Sequence, residues 1–256
     1  AISSGLSFAL NNIVFRYSEQ LPLTGKVNAV LQRKDNTGML MNKVVLITGA
    51  AHRIGATTAR ILHAEDMNIL LHYRHSREAA KALQTELNAI RPDSVRLLQA
   101  DLHDTPNLPN LIDDAIRVWG QLDVLINNAS SFYATPIGTV TEEHWDDLIG
   151  SNLKAPLFLS QAAAPHLRQQ QGCIISIVDI HAERPLAGYP IYSIAKAGNA
   201  MMVKALAREL GPQGIHVAHL LIDGVIWSER ARDQFQMTRE QCLDPEAVAA
   251  SCLHLL

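Results

Sequence analysis

The chain has 256 residues, a formal net charge of −3 at pH 7 and 48% hydrophobic residues. This composition supplies a sizeable core and excludes global disorder, and the lack of a basic excess argues against sequence-independent nucleic-acid binding. No apolar run reaches the length of a membrane span. The cysteines Cys173, Cys242 and Cys252 show neither metal-ligand spacing nor a disulfide framework, which favours a reducing, cytoplasmic setting.

The beginning of the chain differs in pattern from the rest. Residues 1–10 are mildly apolar without the basic start or cleavage signature of a secretory signal, and residues 31–38 are polar and end in turn residues. We therefore predict that residues 1–40 are an extension outside the fold. The alternative is an arm that stabilises an oligomer.

From residue 43 onward, predicted strands and helices alternate. The strands are short apolar runs without polar alternation, as expected for strands buried on both faces. The predicted strands are 43–48, 68–72, 94–99, 122–126, 173–178 and 215–222. The predicted helices are 55–64, 76–90, 108–119, 141–169 with an interruption near Pro156, and 192–210. This alternation predicts an α/β fold, a doubly wound parallel sheet with helices on both faces.

Ligands of such sheets bind beyond the carboxyl ends of the strands, so these ends hold the candidate site residues. The first predicted strand runs into a turn of small residues that leads to a helix. Small residues let the backbone approach a diphosphate, and a helix N-terminus directs N–H groups toward it. Gly49, Arg53, Ile54 and Gly55 are therefore predicted to bind a dinucleotide, with an ordinary strand-to-helix turn as the alternative. Arg53 would add a cation that also reaches the substrate.

The end of the second predicted strand indicates which dinucleotide binds. An NAD site usually carries an acidic residue there for the ribose hydroxyls. This segment has no acidic residue, and its members are His72, Tyr73, Arg74, His75 and Ser76. Such donors favour a 2′-phosphate. We therefore predict NADP(H), with a solvated basic turn as the alternative.

A tyrosine and a lysine follow the fifth predicted strand. Tyr192 and Lys196 lie four residues apart near a helix start, hence on one face. A lysine near a tyrosine hydroxyl favours the phenolate, so that the tyrosine can transfer a proton near neutral pH. A chance pair is the alternative, but the position in a dinucleotide fold favours catalysis.

Three spaced motifs together resemble the short-chain dehydrogenase/reductase superfamily: Thr48-Gly49 with Gly55, Asn127-Asn128-Ala129, and Tyr192 with Lys196. Most members carry Ser thirteen residues before the Tyr, where this chain has Asp179. That Asp, together with Arg53 and the segments 72–76, 130–133 and 185–192, is similar to the pteridine reductase branch. The resemblance covers about residues 42–214 and implies one reductase domain over residues 41–256.

The resemblance implies a role for each matching residue. The implied cofactor set is Gly49, Arg53, Ile54, Gly55, His72, Tyr73, Arg74, His75, Ser76, Asp101, Leu102, Asn128, Ala129, Ser130, Lys196 and Gly224. The implied substrate set is Arg53, Ser130, Phe132, Asp179 and Tyr192, with Phe132 stacked on a pterin ring. The implied catalytic set is Asp179, Tyr192, Lys196 and Asn152, and no metal is implied. Asp179 and Tyr192 would relay a proton to a ring nitrogen while hydride reaches the neighbouring carbon.

Several of these roles have structural alternatives. Asp179 could only cap the loop after its strand, Phe132 could be a lid or core contact, and Asn152 could be a solvated helix residue. The sequence also departs from the family pattern. Asp223-Gly224 stands where the family usually has Pro-Gly, and we expect the sheet to lack the family's last strand.

The leading functional prediction is an NADPH-dependent reductase that converts dihydropterin to tetrahydropterin, with dihydrofolate as a further substrate. A short-chain carbonyl reductase or alcohol dehydrogenase is the first alternative, disfavoured because a hydroxyl suits a carbonyl oxygen better than the Asp179 carboxylate does. A catalytically weak dinucleotide-binding protein is the second. Partners are expected to be a small molecule and further copies of the chain, as a dimer or tetramer, because helices 141–169 and 192–210 carry broad Ala- and Leu-rich faces.

Overall fold

Apolar strands and amphipathic helices form a layered α/β structure in a computed structural model, which describes residues 13–17, 40–228, 232–233 and 236–256. The strands are β1 (Ile13–Tyr17), β2 (Val44–Ile47), β3 (Asn68–Tyr73), β4 (Val95–Gln99), β5 (Val124–Asn127), β6 (Cys173–Asp179) and β7 (His216–Ile222). The helices are α1 (Arg53–Ala64), α2 (Arg77–Ile90), α3 (Leu108–Trp119), α4 (Glu142–Ile149), α5 (Ala155–Gln170), α6 (Pro190–Leu210) and α7 (Pro245–His254).

The predicted doubly wound parallel sheet is confirmed. The strand order is β1-β7-β6-β5-β2-β3-β4, and β2 to β7 pair in parallel. Successive residues of β2 are buried on opposite faces: Val45 and Ile47 pack with α1, α2 and α7, whereas Val44 and Leu46 pack with α3, α5 and α6. Burial on both faces explains why these strands read as continuous apolar runs.

The first strand lies within residues 1–40, the segment that we predicted to be an extension outside the fold. Ile13–Tyr17 pairs antiparallel with β7, in register from Ile13 opposite Ile222 to Tyr17 opposite Ala218. Its sequence, IVFRY, is rich in residues that favour strands, and the pairing covers a sheet edge that would otherwise expose unpaired backbone groups. The edge beyond β7 is therefore occupied by β1, and the parallel part of the sheet has six strands. The other residues of 1–39 lie outside the described part of the chain.

The long helical pattern 141–169 is interrupted earlier than predicted. A π-helical turn, Gly150–Lys154, separates α4 from α5, whereas Pro156 lies in the first turn of α5. Proline fits there because the first turn needs no N–H from it. The interruption thus comes from an extra residue in the helix, a feature that often marks functional sites.

The sheet topology sets the place of a ligand site. β2 lies between β3 and β5, so the chain leaves the central strands in opposite directions. A crevice opens at the carboxyl ends of the strands at such a switch in strand order. Among the described helices, none is long and apolar enough to cross a membrane.

Candidate active site

The loop between β2 and α1 is close-packed at two glycines. Gly49 has φ +62°, and a Cβ there would lie 3.0 Å from the Ala129 Cα. A Cβ on Gly55 would lie 2.6 Å from the Gly49 carbonyl oxygen. Arg53 also adopts a left-handed backbone, with φ +48°, which is the conformation that favours glycine. The loop therefore has the tight geometry expected of a backbone that approaches a diphosphate.

The helix that follows this loop presents its N-terminus toward the crevice. Within the described residues, the His52 side chain at the N-cap of α1 makes no capping hydrogen bond. The first-turn N–H groups of α1 are thus free of a side-chain acceptor, as an anion site at a helix N-terminus requires. Ile54 is half-buried and packs against the core, so its side chain supports the loop.

The end of β5 holds the glycine loop in place. The Thr48 hydroxyl accepts the N–H groups of Asn128 at 2.9 Å and Ala129 at 3.0 Å. The Asn128 amide donates to the carbonyl oxygens of Thr48 at 2.8 Å and Gly49 at 3.2 Å. The structure therefore brings the glycine loop and the Asn127-Asn128-Ala129 motif together. The Asn128 side chain holds the backbone of the glycine loop.

His72 has a different role from the predicted phosphate contact. It is buried, its Nδ1 accepts the Gly49 N–H at 3.1 Å, and its Nε2 lies 3.2 Å from the Ala100 carbonyl oxygen. Burial lowers the pKa of the His72 imidazole to about 4. Both ring nitrogens of His72 thus have partners in the protein, and the neutral ring holds the glycine loop in place. It carries no positive charge that could bind a phosphate. Sequence order could not reveal this, because it does not show whether a donor faces the ligand or the backbone.

The remaining residues after β3 divide between core and surface. Tyr73 is buried, and its hydroxyl donates to the Gln99 side chain at 3.4 Å. Arg74 and His75 are exposed, and Ser76 is the N-cap of α2 without a side-chain capping bond among the described residues. Arg74 Nη1 lies 3.7 Å from the Asp101 carboxylate. The side chains of Arg74, His75 and Ser76 thus lie at the rim of the crevice, where they can contact a ligand. The Tyr73 ring is buried and cannot.

Asp101 and Leu102 border this rim. Burial opposes ionisation of Asp101, but a hydrogen bond from the His103 N–H and the nearby Arg74 charge lower its pKa overall. Leu102 is buried in the core cluster beneath α3. Across the crevice, Gly224 follows β7 with φ +152° and packs against Leu243. The structure supports Asp101 as a polar rim group, while Leu102 mainly fills the core.

The structure brings Asp179 and Tyr192 into direct contact. The Tyr192 hydroxyl donates to Asp179 Oδ2, and the other carboxylate oxygen accepts the His181 N–H at 2.9 Å. Asp179 therefore caps the turn after β6, as the structural alternative held, and also contacts the tyrosine. Lys196 Nζ lies 5.5 Å from the Tyr192 ring centroid and donates to the Ile177 carbonyl oxygen at 3.1 Å.

The surroundings of Tyr192 and Lys196 shift the pKa values of both side chains. Burial raises the pKa of Tyr192 well above its usual value, and the Asp179 carboxylate raises it further, while Ser130 opposes the shift. Burial lowers the pKa of Lys196, and Asp179 opposes that shift. These shifts favour the protonated phenol, and the expectation that Lys196 promotes the phenolate stays a prediction. Tyr192 is a neutral phenol with its proton directed at a carboxylate.

The segment after β5 forms the other wall of the site. The Ser130 hydroxyl donates to Asn152 Oδ1 at 2.6 Å, and Asn152 is buried in the π-helical turn. The Phe132 ring meets Tyr192 edge-on at 4.7 Å between centroids and stacks on Tyr189 at 4.8 Å. The predicted residues Ser130, Phe132 and Asn152 thus lie with Tyr192. Asn152 is a bonded, buried residue and not a solvated one.

Sequence reasoning missed residues that support these side chains. The Asn199 amide donates to the Asn152 carbonyl oxygen at 2.6 Å, and its own Oδ1 is a buried acceptor without a partner among the described residues. Tyr189, which stacks on Phe132, belonged to a matched segment but received no role. Asn199 lies three residues after Lys196 on α6, and this spacing was the available signal.

Comparison with known proteins agrees with this geometry. A model of the short chain dehydrogenase family matches residues 43–237. Pteridine reductase 1 of Leishmania tarentolae is 35% identical over 212 residues, which are 68% of this chain and 73% of that protein. The 3-oxoacyl-(acyl-carrier-protein) reductase FabG of Staphylococcus aureus (strain Mu50 / ATCC 700699) is 34% identical over 206 residues, 80% of this chain and 83% of that protein. The chain belongs to the short-chain dehydrogenase/reductase family of oxidoreductases.

Proposed function

We propose that this protein is an NADPH-dependent reductase of pterins, acting on dihydropterin and also on dihydrofolate. The observation that carries the proposal is the contact between the Tyr192 hydroxyl and the Asp179 carboxylate. Reduction of a C=N bond needs hydride at carbon and a proton at nitrogen. A phenol and a carboxylate that share a proton can deliver it to a ring nitrogen, which is more basic than a carbonyl oxygen.

The residues present fit a nicotinamide dinucleotide. The Gly49 and Gly55 positions leave no room for a Cβ, and the uncapped start of α1 offers N–H groups to a diphosphate. Bound there, the cofactor supplies the hydride. NADP(H) is preferred in this proposal because Arg74, His75 and Ser76 lie at the rim without an acidic residue in the segment after β3. Lys196 would hold the nicotinamide ribose.

The substrate would lie against the wall formed after β5. Phe132 offers an aromatic face beside Tyr192, and Ser130 offers a hydroxyl within the same segment. Arg53, at the start of α1, supplies a cation for the polar edge of a pterin. Tyr189 covers one face of Phe132, so a flat ring must either use the other face or displace Tyr189.

A carbonyl reductase is the second candidate, because the similarity to the FabG protein is comparable and extends over more of the chain. Asp179 argues against it, since a carboxylate beside the tyrosine repels a developing alkoxide.

We also propose a cytoplasmic homo-oligomer, dimer or tetramer. Large apolar side chains are exposed on α5 and α6, namely Leu157, Phe158, Ile194 and Met201.

One assay tests the proposal against its alternatives. NADPH oxidation is followed with dihydrobiopterin, dihydrofolate, a 3-oxoacyl thioester and a panel of simple ketones. A pterin reductase should turn over the two C=N substrates well above the carbonyl compounds. Preference for the 3-oxoacyl thioester or a ketone would establish the carbonyl reductase instead, and turnover of none, with NADPH still bound, would indicate a dinucleotide-binding protein.

A further inference from the structure

The segment of residues 130–133, which carries Ser130 and Phe132, is held from one side by the end of α4 and the π-helical turn. The Ser131 N–H donates to Ser151 Oγ at 3.3 Å, and the Ser131 carbonyl oxygen accepts the Asn152 amide at 2.9 Å. Ser151 in turn donates its hydroxyl to the Asp147 carbonyl oxygen at 2.7 Å. The helix end thus fixes the backbone of the segment.

One carboxylate gathers the side chains of this region. Asp147 Oδ1 accepts the Ser131 hydroxyl at 3.2 Å and lies 3.1 Å from His103 Nε2. Burial, and next the nearby Asp147 carboxylate, raise the pKa of Tyr133 to about 12. Ser131 and Tyr133 follow β5, whereas His103 follows β4, so Asp147 joins two loops at the carboxyl edge of the sheet.

A glycine makes this arrangement sterically accessible. A Cβ on Gly150, the first residue of the π-helical turn, would lie 2.5 Å from His103 Nδ1 and 2.8 Å from its Cε1. The missing side chain lets the His103 ring cross the end of α4 and reach Asp147. The Asp147 carboxylate thus accepts a hydrogen bond from Ser131 and contacts His103 in the space that Gly150 leaves. It does not itself contact Tyr192 or Asp179.

We propose that Asp147 is a positioning residue for the substrate, fixing residues 130–133 so that Ser130 and Phe132 face Tyr192. Ser130 is linked to Asn152, and Phe132 lies 4.7 Å from the Tyr192 ring centroid, so a shift of this segment moves both substrate-facing groups together. The kinetic part of this proposal rests on the proposed function. The anchoring part is a property of the protein without ligands.

The test compares Asp147→Ala with Asp146→Ala. Asp146 is the neighbouring residue on α4, carries the same charge and is exposed, so it controls for charge and helix propensity. Hydrogen exchange of the peptide spanning residues 129–135 is measured in the free protein. KM and kcat for the best pterin substrate and the dissociation constant of NADPH are measured in parallel. Ser131→Ala removes the hydrogen bond to the carboxylate, and Tyr133→Phe removes a hydroxyl near it. These two variants serve if Asp147→Ala does not fold.

Asp147→Ala should accelerate exchange of this peptide about tenfold, because it loses the Ser131 hydrogen bond and the His103 contact that hold the segment against α4. KM for the substrate should rise about 5- to 20-fold, with a smaller change in kcat and in NADPH affinity. Ser131→Ala should add little to Asp147→Ala, since the two act through one contact. Asp146→Ala should behave as the wild type.

The outcomes separate the two proposals. Unchanged exchange in Asp147→Ala overturns the anchoring role, and faster exchange with unchanged KM overturns the positioning role. Additive effects of Asp147→Ala and Ser131→Ala on KM would also overturn it. If the wild type reduces a carbonyl substrate and no pterin, the proposed function fails, and the positioning role is then judged on KM for that substrate. If the wild type turns over no substrate, the positioning role fails with it, while exchange still decides whether Asp147 anchors the segment.

Discussion

Replacing Asp179 tests the chemistry that this site is proposed to perform. Asp179 makes two contacts, one with the His181 N–H at 2.9 Å and one with the Tyr192 hydroxyl. Loss of the first contact removes a turn cap and should lower the free energy of unfolding by about 1 kcal/mol. Loss of the second removes the proton partner, and general acid help is typically worth about 10²- to 10⁴-fold in rate. Asp179→Ala should therefore lower pterin turnover by about that factor with only a small loss of stability.

Two further variants separate charge from contact. Asp179→Asn keeps an oxygen for the His181 cap but removes the negative charge, so it should retain stability and lose turnover. Because Asp179 raises the pKa of Tyr192, the alkaline limb of the pH–rate profile should move to lower pH in this variant. Asp179→Ser should shift relative activity from pterins toward ketones.

The measurements are steady-state rates with NADPH against pH, thermal unfolding, and NADPH titration followed by fluorescence. NADPH affinity should stay within about twofold, because Asp179 contacts neither the glycine loop nor the rim after β3. Near wild-type pterin turnover in Asp179→Ala would show that the residue is only a loop cap. The reasoning from the Asp179–Tyr192 contact would then be refuted.

Three further predictions concern the cofactor, the glycine loop and the assembly. NADP(H) should bind more tightly than NAD(H), and Arg74→Ala should weaken NADPH binding by about 1.5–3 kcal/mol; equal dissociation constants for the two cofactors in the wild type would contradict this. The folded-state pKa of His72, about 4, lies below its ordinary value of 6.5, so the unfolded chain binds the proton more readily and stability falls as pH drops through this window. Urea unfolding should show a loss of about 2 kcal/mol between about pH 7 and pH 5 from this group, and a pH dependence unchanged in His72→Asn would count against it. Light scattering should find a dimer or tetramer. A monomer at high micromolar concentration would refute the prediction that the apolar faces of α5 and α6 pack against another copy of the chain.

Most of the fold follows from local pattern. The apolar runs at β2 to β7 predict the parallel sheet because strands buried on both faces carry apolar side chains in succession. The strand β1 was missed because five residues of suitable propensity become a strand only by pairing with β7, which is about 200 residues away. The π-helical turn was misplaced for a similar reason. Gly150 begins the turn and leaves no room for a Cβ beside His103, and such a tertiary contact is not visible in the local sequence, whereas Pro156 is.

The sequence predicted which side chains lie close together at this edge of the sheet, but not every contact that they make. The motif spacing predicted that Asp179, Tyr192 and Lys196 lie together, and they do. They lie where β6 ends, at the edge of the sheet where the carboxyl ends of the parallel strands meet. His72 was assigned to a phosphate because donors in a row resemble an anion site, whereas its ring nitrogens are used by Gly49 and Ala100. Donor type is visible in a sequence, and donor direction is not.

The position of Asp179 also bears on the prediction that Lys196 favours the phenolate of Tyr192. A lysine alone near a phenol lowers its pKa, and a hydroxyl at the end of β6 would leave that effect in place. Here the Asp179 carboxylate raises the pKa of Tyr192 and opposes the fall in that of Lys196. Burial and the Asp at this strand end thus both favour the protonated form of the Tyr192 phenol. In the proposed reaction, the Asp179–Tyr192 pair passes a proton to the substrate nitrogen as hydride reaches the neighbouring carbon.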